Sequence, residues 1–335
     1  MGLQIGDIVP RREIKLEELK GKIVAIDAFN AIYQFLSSIR QPDGTPLMDS
    51  KQRVTSHLSG LFYRNIALMS EGISLAYVFD GEYHHLKGKT HEIRQEAKDI
   101  AKEKYLIARD EEDIEGMSKY SRGFIKLNKE MIEESKLLLE AMGVAVIQAP
   151  GEGEMQASHL VKIGEAYAVG SQDYDALVTG GRLIQNLTLA RKRKLRNGDF
   201  VYIAPEMIEY ERTLTHLDIN GDQLICLAIL VGSDFNPGGV KGIGPKKALA
   251  LVKQKKHPVA IFQEMEGRMD FNWQEVFEIF KRPNVANFKI VLPKLNEAKI
   301  KHLLVDEHEF SEERVGKQLD KLKELRKSQG QRKLF

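Results

Sequence analysis

Seven carboxylates stand where apolar segments end, and their spacing could do metal-assisted chemistry. Residues 22–27 form an apolar run closing on Asp27, and residues 75–81 form another that reaches Asp80. Residues 144–147 lead into Pro150-Gly151-Glu152-Gly153-Glu154, and residues 166–170 lead into Asp173-Tyr174-Asp175. Leu230-Val231-Gly232-Ser233-Asp234 closes an apolar helix. In an open α/β sheet, sites lie beyond the carboxyl ends of the strands. These five signatures can therefore bring all seven carboxylates to one edge. Like charges disfavour each other's ionised forms, so such a cluster needs cations, and divalent metal is the natural one. Glu152 and Glu154 flank Gly153 at a predicted helix start, where the helix dipole favours anions. Asp173 and Asp175 repeat the i, i+2 spacing, which on an extended segment puts both on one side. A single Asp after a strand is usually a cap or turn residue; five signatures, two of them paired, exceed what capping explains.

No His lies within these signatures, which argues against zinc and for Mg2+, an ion that takes a few carboxylates and keeps several waters. Two divalent ions about 4 Å apart can neutralise an attacked phosphate, activate a water and assist the leaving oxygen. Phosphodiester hydrolysis is thus the expected reaction class. A competing reading takes Asp173 and Asp175 as the nucleophile pair of an aspartyl-phosphate phosphatase. That pair sits after the first strand with Thr or Val at the next alternate position; here the position is Leu177, in the fourth signature.

The elements that must hold these groups read as α/β. A strand at 23–27, a helix over about 28–39, turn chemistry at Pro42-Asp43-Gly44-Thr45-Pro46, a helix over about 52–70 and a strand at 75–79 come first. Val54, Leu58, Leu61 and Leu68 give the second helix its apolar stripe. A helix over 130–142 stops at Gly143, a favoured C-terminal residue, before a strand at 144–148, a helix at 153–163 and a strand at 166–170. Arg191-Lys192-Arg193-Lys194-Leu195-Arg196-Asn197-Gly198 reads as a basic hairpin, the Asn-Gly pair setting its turn. Helical sequence then runs from about 205 to 305. Val315, Leu319, Leu322 and Leu325 mark a last amphipathic helix before a tail.

Residues 82–130 are charged and poor in apolar side chains. Lys87, Lys89, Arg94, Lys98, Lys102, Lys104 and Arg109 make a basic stretch that resumes at Lys119, Arg122, Lys126 and Lys129. The insertion cannot pack as core, and reads as surface helices rising directly beside Asp80, where a substrate role outweighs a plain solvated face. Val240-Lys241-Gly242-Ile243-Gly244-Pro245-Lys246-Lys247 has the form of a helix-hairpin-helix turn. Gly242 and Gly244 let backbone amides approach a phosphate, and Lys246 and Lys247 add cations.

Composition sets the remaining bounds. The chain has 335 residues, a net charge of +2, and 29% charged residues, so charge placement rather than bulk charge must identify partners. Cys226 is the only cysteine; an intramolecular disulfide is excluded, and an intracellular setting is expected. Secretory signal and membrane span are not expected, and the Lys, Arg and Glu content leans towards a thermophile.

With these motifs in hand, the sequence resembles the flap structure-specific endonucleases of the XPG-type nuclease family, archaeal type. The likeness runs from Met1-Gly2 to about residue 325 through Ile26-Asp27-Ala28, Tyr33, Val78-Phe79-Asp80-Gly81, Ala149 to Glu154, Asp173-Tyr174-Asp175, Gly232-Ser233-Asp234 and Lys241 to Pro245. It implies an α/β fold with a mostly parallel central sheet flanked by helices, of the PIN/5′-nuclease type. The expected organisation is a single nuclease domain over 1–325, with an N-terminal region at 1–98 and an internal region at 131–260. A helical arch over 82–130 and a helix-hairpin-helix at about 225–260 lie within it, and a tail follows at 326–335. It implies that the seven carboxylates hold two Mg2+ ions, and that Lys87 and Arg94, at the foot of the arch, stabilise charge on the scissile phosphate. Tyr33 would stack on a base, Gly2 would pack near the site, Arg40 and Arg64 would meet the DNA backbone, and K+ would sit at the hairpin as in relatives. The implied activity is 5′ flap cleavage with 5′-3′ exonuclease activity, in Okazaki fragment maturation and base excision repair. The implied enzyme is a monomer in the cytoplasm, associated with the nucleoid.

Two departures stand out. The family usually has Ala where this chain has Gly153. Relatives also end in a motif for the sliding clamp PCNA, Gln-x-x-aliphatic-x-x and two aromatics, of which only Gln331, Leu334 and Phe335 are matched here. The alternatives are a junction- or bubble-cutting nuclease of the same family, from which the arch length turns the reading away, and a non-catalytic DNA-binding clamp adaptor, which would lack a carboxylate.

Overall fold

The architecture comes from a computed structural model that describes residues 2–332 other than 42, 83, 112, 190–191 and 195–199. The strands, in chain order, are β1 (Arg12–Glu13), β2 (Ile23–Asp27), β3 (Ser74–Phe79), β4 (Ala145–Gln148), β5 (Ala168–Gly170), β6 (Leu183–Gln185), β7 (Lys192–Lys194), β8 (Phe200–Tyr202) and β9 (Glu206–Ile208). Seven of them form one sheet in the order β1-β9-β6-β5-β2-β3-β4. From β6 to β4 the pairing is parallel; β9 and β1 close one edge antiparallel. The chain runs outward from β2 through β3 to β4, then returns to the other side of β2 for β5. That reversal opens a crevice at the carboxyl ends of β2 and β5.

Alternation along the strands sorts side chains to the two faces. Val24, Ile26, Leu75, Tyr77 and Phe79 join one core, with the helices Ala28–Ser38, Ser56–Ser70, Lys129–Met142 and Glu312–Arg332. Ala25, Ala76 and Val78 join the other, with Gly153–Lys162, Gly221–Val231, Pro245–Lys255 and Trp273–Lys281. Both faces are covered, which is why the strands read as continuous apolar runs. Between β3 and β4 rises the charged insertion: a helix of 23 residues, Gly88–Asp110, then Ile114–Tyr120 and a tight turn at Ser121–Phe124. Thr90 and Ala108 are the residues that the long helix buries, and Tyr105 packs on Phe124 with ring centroids 5.2 Å apart.

Several expectations shift. The helix expected from 52 begins at Ser56, because Met48 and Val54 pair across a bridge and Gln52 takes a left-handed turn at φ 62°. The helical region expected from 205 opens instead with β9, and helix starts at Tyr210. Asp173 and Asp175 do not share an extended segment: β5 stops at Gly170, and Asp175 opens a short helix, Asp175–Val178. The final helix buries Val315, Leu319 and Leu322 as expected, but continues to Arg332, past the start of the expected tail. β7 and β8 do form a hairpin; its Asn-Gly turn lies outside the described residues, as do Leu334, Phe335 and the side chain of Gln331.

Candidate active site

Each carboxylate is held by the local structure that its sequence dictates. Asp27 is the last residue of β2 and the N-cap of the next helix, its Oδ1 accepting from the Asn30 amide at 3.0 Å. Capping and site roles thus coexist in one side chain, since Oδ2 turns to the Ser171 hydroxyl at 3.4 Å. Asp80 follows β3, and its Oδ1 accepts from the Gly153 amide at 2.6 Å, at the N-terminus of Gly153–Lys162. A side-chain carbon at Gly153 would stand 2.6 Å from that oxygen, so the glycine permits the approach. Glu152 is the N-cap of this helix but makes no side-chain cap; its carboxylate meets Lys87. Asp234 sits inside a compact turn after Gly221–Val231, where Gly232 at φ 106° and Gly239 at φ 55° let the backbone double back and Asn236 ties down Ser233.

All seven carboxylates line one cavity of about 730 Å³, with Gly2, Tyr33, Lys87, Arg94 and Lys98 among its other walls. Burial first, and then the charge of Asp80, push Asp27 up to about 7. Burial and then Asp234 push Asp175 up to about 7. Burial and then Asp27 raise Glu154 well above its ordinary value, and Asp80 and Asp173 are raised also, by burial first. Such mutual repulsion identifies a site short of positive charge. Lys87 and Arg94 partly supply it. Lys87 bonds Glu152, and Arg94 grips both oxygens of Asp234 at 2.8 and 2.6 Å. Burial lowers the Lys87 ammonium, but Glu152, Asp234 and Asp80 outweigh it and hold its pKa above the ordinary value. Two buried oxygens, Glu152 Oε1 and Asp175 Oδ1, have no hydrogen-bond partner. A buried acceptor left unpaired is costly and calls for an explanation. A hard divalent cation, which prefers carboxylate oxygens, fits this donor set.

The remaining predicted positions divide. Tyr33 is 37% exposed on the cavity wall, with Lys98 Nζ 5.6 Å from its ring centroid. A second cavity of about 390 Å³ shares Asn30, Tyr33, Lys98 and Gly123 with the first and adds Arg122, giving a path beneath the insertion. Gly2 lies against Asp173, whose carboxylate a side chain at Gly2 would strike. Arg40 is not among the lining residues; its guanidinium is spent on the carbonyls of Leu36 and Gly44 at 2.9 and 2.7 Å. Arg64 lies half-buried on Ser56–Ser70, also outside the lining. Gly242, at φ 80°, and Gly244, the N-cap of Pro245–Lys255, form the turn between two helices, with Lys246 and Lys247 exposed and the Lys247 ammonium donating to the Gly242 carbonyl at 3.3 Å. The helices are fastened by Gln223, which donates to the Val252 carbonyl at 2.9 Å.

Sequence reasoning missed four supporting residues. Ser171 donates to Glu154 and reaches Asp27, bridging two signatures; its place one residue beyond β5 was the available signal. Asn30 donates to Asp173 at 3.3 Å, and its i+3 spacing from Asp27 marks it as cavity-facing. Thr90 holds the Asp234 carbonyl at 2.6 Å, joining the insertion to the site. Phe235 lies under Lys87 Nζ, 5.2 Å from its ring centroid. A segment of irregular backbone also went unread: Gln156 exchanges two 2.8 Å bonds with Ala286, and Glu165 accepts from the Ile290 amide, so residues 286–290 brace the helix that carries Glu154.

Comparison with known proteins agrees with this geometry. The XPG N-terminal domain family matches residues 4–101, and the XPG I-region family matches residues 143–234. Flap endonuclease 1 of Pyrococcus furiosus is 51% identical over 331 residues, covering 98% of this chain and 96% of that protein. Flap endonuclease 1 of Pyrococcus horikoshii is 50% identical with the same coverage. Among solved structures, flap endonuclease-1 from Methanococcus jannaschii aligns with a TM-score of 0.77 at 42% identity, over 97% of this chain and 98% of that one. The catalytic core of Rad2 in complex with DNA substrate shares the fold, with a TM-score of 0.69 at 22% identity over 96% of this chain and 100% of that one. The fold is that of a PIN-type nuclease, and the chain hydrolyses phosphodiester bonds in DNA, in a family that depends on divalent metal. Within that class, the chain belongs to the flap endonucleases of the XPG family, structure-specific enzymes of DNA replication and repair.

Proposed function

We propose that this enzyme cuts 5′ flaps with two Mg2+ ions held by Asp27, Asp80, Glu152, Glu154, Asp173, Asp175 and Asp234, directly or through water, and has 5′-3′ exonuclease activity. The observation that carries this reading is the convergence of seven carboxylates, two with buried unpaired oxygens, on one cavity beneath a basic insertion. Bound there, the ions would neutralise the scissile phosphate and lower the pKa of a nearby water. The chain's own residues do the rest. Lys87 and Arg94 face the same cavity as the carboxylates, and exchange of their carboxylate partners for phosphate oxygens would place two cations on the charge that develops there. Tyr33 offers an aromatic face to a base beside the cut, with Lys98 next to it for the strand's phosphate. Residues 82–130 act as an arch over a single-stranded flap, within one nuclease unit spanning 1–325. Gly242, Gly244, Lys246 and Lys247 grip the backbone of duplex DNA, with K+ held at the turn. Arg40 and Arg64 meet the DNA backbone, Arg40 by exchanging its bonds to the carbonyls of Leu36 and Gly44.

The enzyme works as a monomer among the cell's DNA. Among the described residues, no single helix is long and apolar enough to cross a membrane. The tail offers Gln331, Leu334 and Phe335 to a sliding clamp. The deciding experiment offers double-flap, four-way-junction and bubble DNA to the enzyme with Mg2+ and then with EDTA. Incision of the flap alone, lost in EDTA, is expected; equal cutting of the junction would overturn the flap assignment, and cutting in EDTA the metal assignment.

A further inference from the structure

A second group of metal-binding side chains stands outside the carboxylate cavity. His84, His85 and Glu275 each bring a ligand atom within 4.8 Å of the others. The two rings lie with centroids 4.3 Å apart at 33°, and His85 Nε2 is 2.9 Å from Glu275 Oε1. His84 Nδ1 accepts only a long bond, 3.3 Å, from the Leu86 amide, so its lone pair can pass to an ion at small cost. Two imidazoles and one carboxylate make a donor set for a borderline transition metal, with a fourth position left to water. Its chemistry differs from that of the all-oxygen site, which suits Mg2+.

We propose that His84, His85 and Glu275 form a separate site for a divalent transition metal of the Zn2+ type, which clamps the foot of the insertion to the helix Trp273–Lys281. The placement gives the clamp its purpose. The His84 carbonyl accepts from the Lys87 amide at 2.9 Å, and the His84 ring meets Phe235 edge-on at 6.1 Å, the ring over which Lys87 lies. Lys89 and Asp270 already form an ion pair across the same seam at 2.7 Å. Coordination would replace the solvent-exposed His85–Glu275 pair, which alone is worth little, by a three-point tether that fixes the segment carrying Lys87.

The test uses the full chain in saturating Mg2+, which fills the carboxylate cavity, and titrates Co2+ while reading the visible bands of four-coordinate cobalt. Zn2+ uptake is measured separately against a chromophoric chelator. The side chain of His85 is 72% exposed, so its replacement leaves folding intact. One equivalent of tightly held ion is expected in the wild type and in D175N, with affinity falling at least about tenfold in H85N and E275Q, while both retain Mg2+-dependent cleavage. No four-coordinate cobalt signal in the wild type, or an undiminished signal in H85N and E275Q, would overturn the site.

Discussion

Neutralising Asp175 should stabilise the protein in the absence of metal while destroying its activity. Asp175 is 7% exposed, its Oδ1 is unpaired, and its pKa stands at about 7 against an ordinary 3.8. A folded pKa raised above the unfolded one means that the fold is opposed once the group ionises. The penalty is absent below pH 4, grows between pH 4 and 7, and is complete above 7. At 1.36 kcal/mol per pH unit, the shift of three units corresponds to about 4 kcal/mol. Part of that is repulsion shared with Asp173, Asp234 and Glu152, which relax once one charge is gone, so about 1–3 kcal/mol should be recovered in D175N. The assay is urea unfolding in EDTA at pH 5 and pH 8, for wild type and D175N. The difference at pH 5 should be about two-fifths of that at pH 8. Adding Mg2+ at pH 8 should reverse the order, because a ligand that binds only the folded state stabilises it by mass action and the wild type holds it better. Equal stability of the two proteins at pH 8 in EDTA would refute the idea that the carboxylates crowd one another, and with it the reason for metal at this site.

Other perturbations test other links. K87A should lower single-turnover cleavage about a hundredfold or more, with flap affinity changed severalfold at most; a loss confined to affinity would make Lys87 a phosphate anchor. In G2A the new methyl group displaces the Asp173 carboxylate, so half-maximal cleavage should require severalfold more Mg2+; an unchanged Mg2+ dependence would separate Gly2 from the site. L319A removes a side chain that is 1% exposed beneath the last helix and should cost about 2–4 kcal/mol in urea unfolding, whereas a negligible cost would detach that helix from the core. His308 bonds Glu134 at 2.9 Å. Burial raises Glu134, but His308 and then His57 outweigh it and hold it down at about 2, while the net effect of the same pair is to raise His308. The Glu134 contribution is present above pH 4.5 and lost as pH falls towards 2; the His308 contribution is present below pH 6.5 and lost as pH rises through its raised value. H308Q should therefore be most destabilised relative to wild type between about pH 4.5 and 6.5; a deficit independent of pH would make the contact one of packing alone.

What the sequence made legible follows from how local each signal is. Asp27, Asp80 and the Glu152–Glu154 pair were readable because a strand of apolar residues ends on each, and the parallel sheet delivers strand ends to one edge whatever the loops do. Gly143 was readable because a left-handed residue at φ 78° ends its helix. The strands β1, β6 and β9 were not, since two or three residues carry no alternation and their strand state comes from neighbours far along the chain. The brace at 286–290 is held by two bonds with Gln156 and one with Glu165, which no periodicity announces. The bonds that Arg40 makes to the carbonyls of Leu36, in the preceding helix, and Gly44, in the following turn, were likewise not legible.

The ion pairs of Lys87 and Arg94 join these observations into one electrostatic balance. Seven acids in one cavity would not tolerate full ionisation, and two of the basic side chains that reach it, Lys87 and Arg94, each neutralise one of them, Glu152 and Asp234. Those cations sit at the foot of the insertion, so the insertion is held to the sheet by the charge that metal would otherwise neutralise. Were metal to take over Glu152 and Asp234, the two cations would lose their partners and face an open cavity, where the next anion to arrive would be a phosphate of the substrate. Metal and DNA binding should therefore be mutually reinforcing, with linkage requiring that each raise the affinity of the other by one factor. Measuring flap affinity with and without a non-activating divalent ion such as Ca2+, in wild type and in E152Q, puts a number on that factor. Coupling should fall in E152Q, because Lys87 there is already released; coupling of the same size in both proteins would show that the Lys87–Glu152 pair is a bystander.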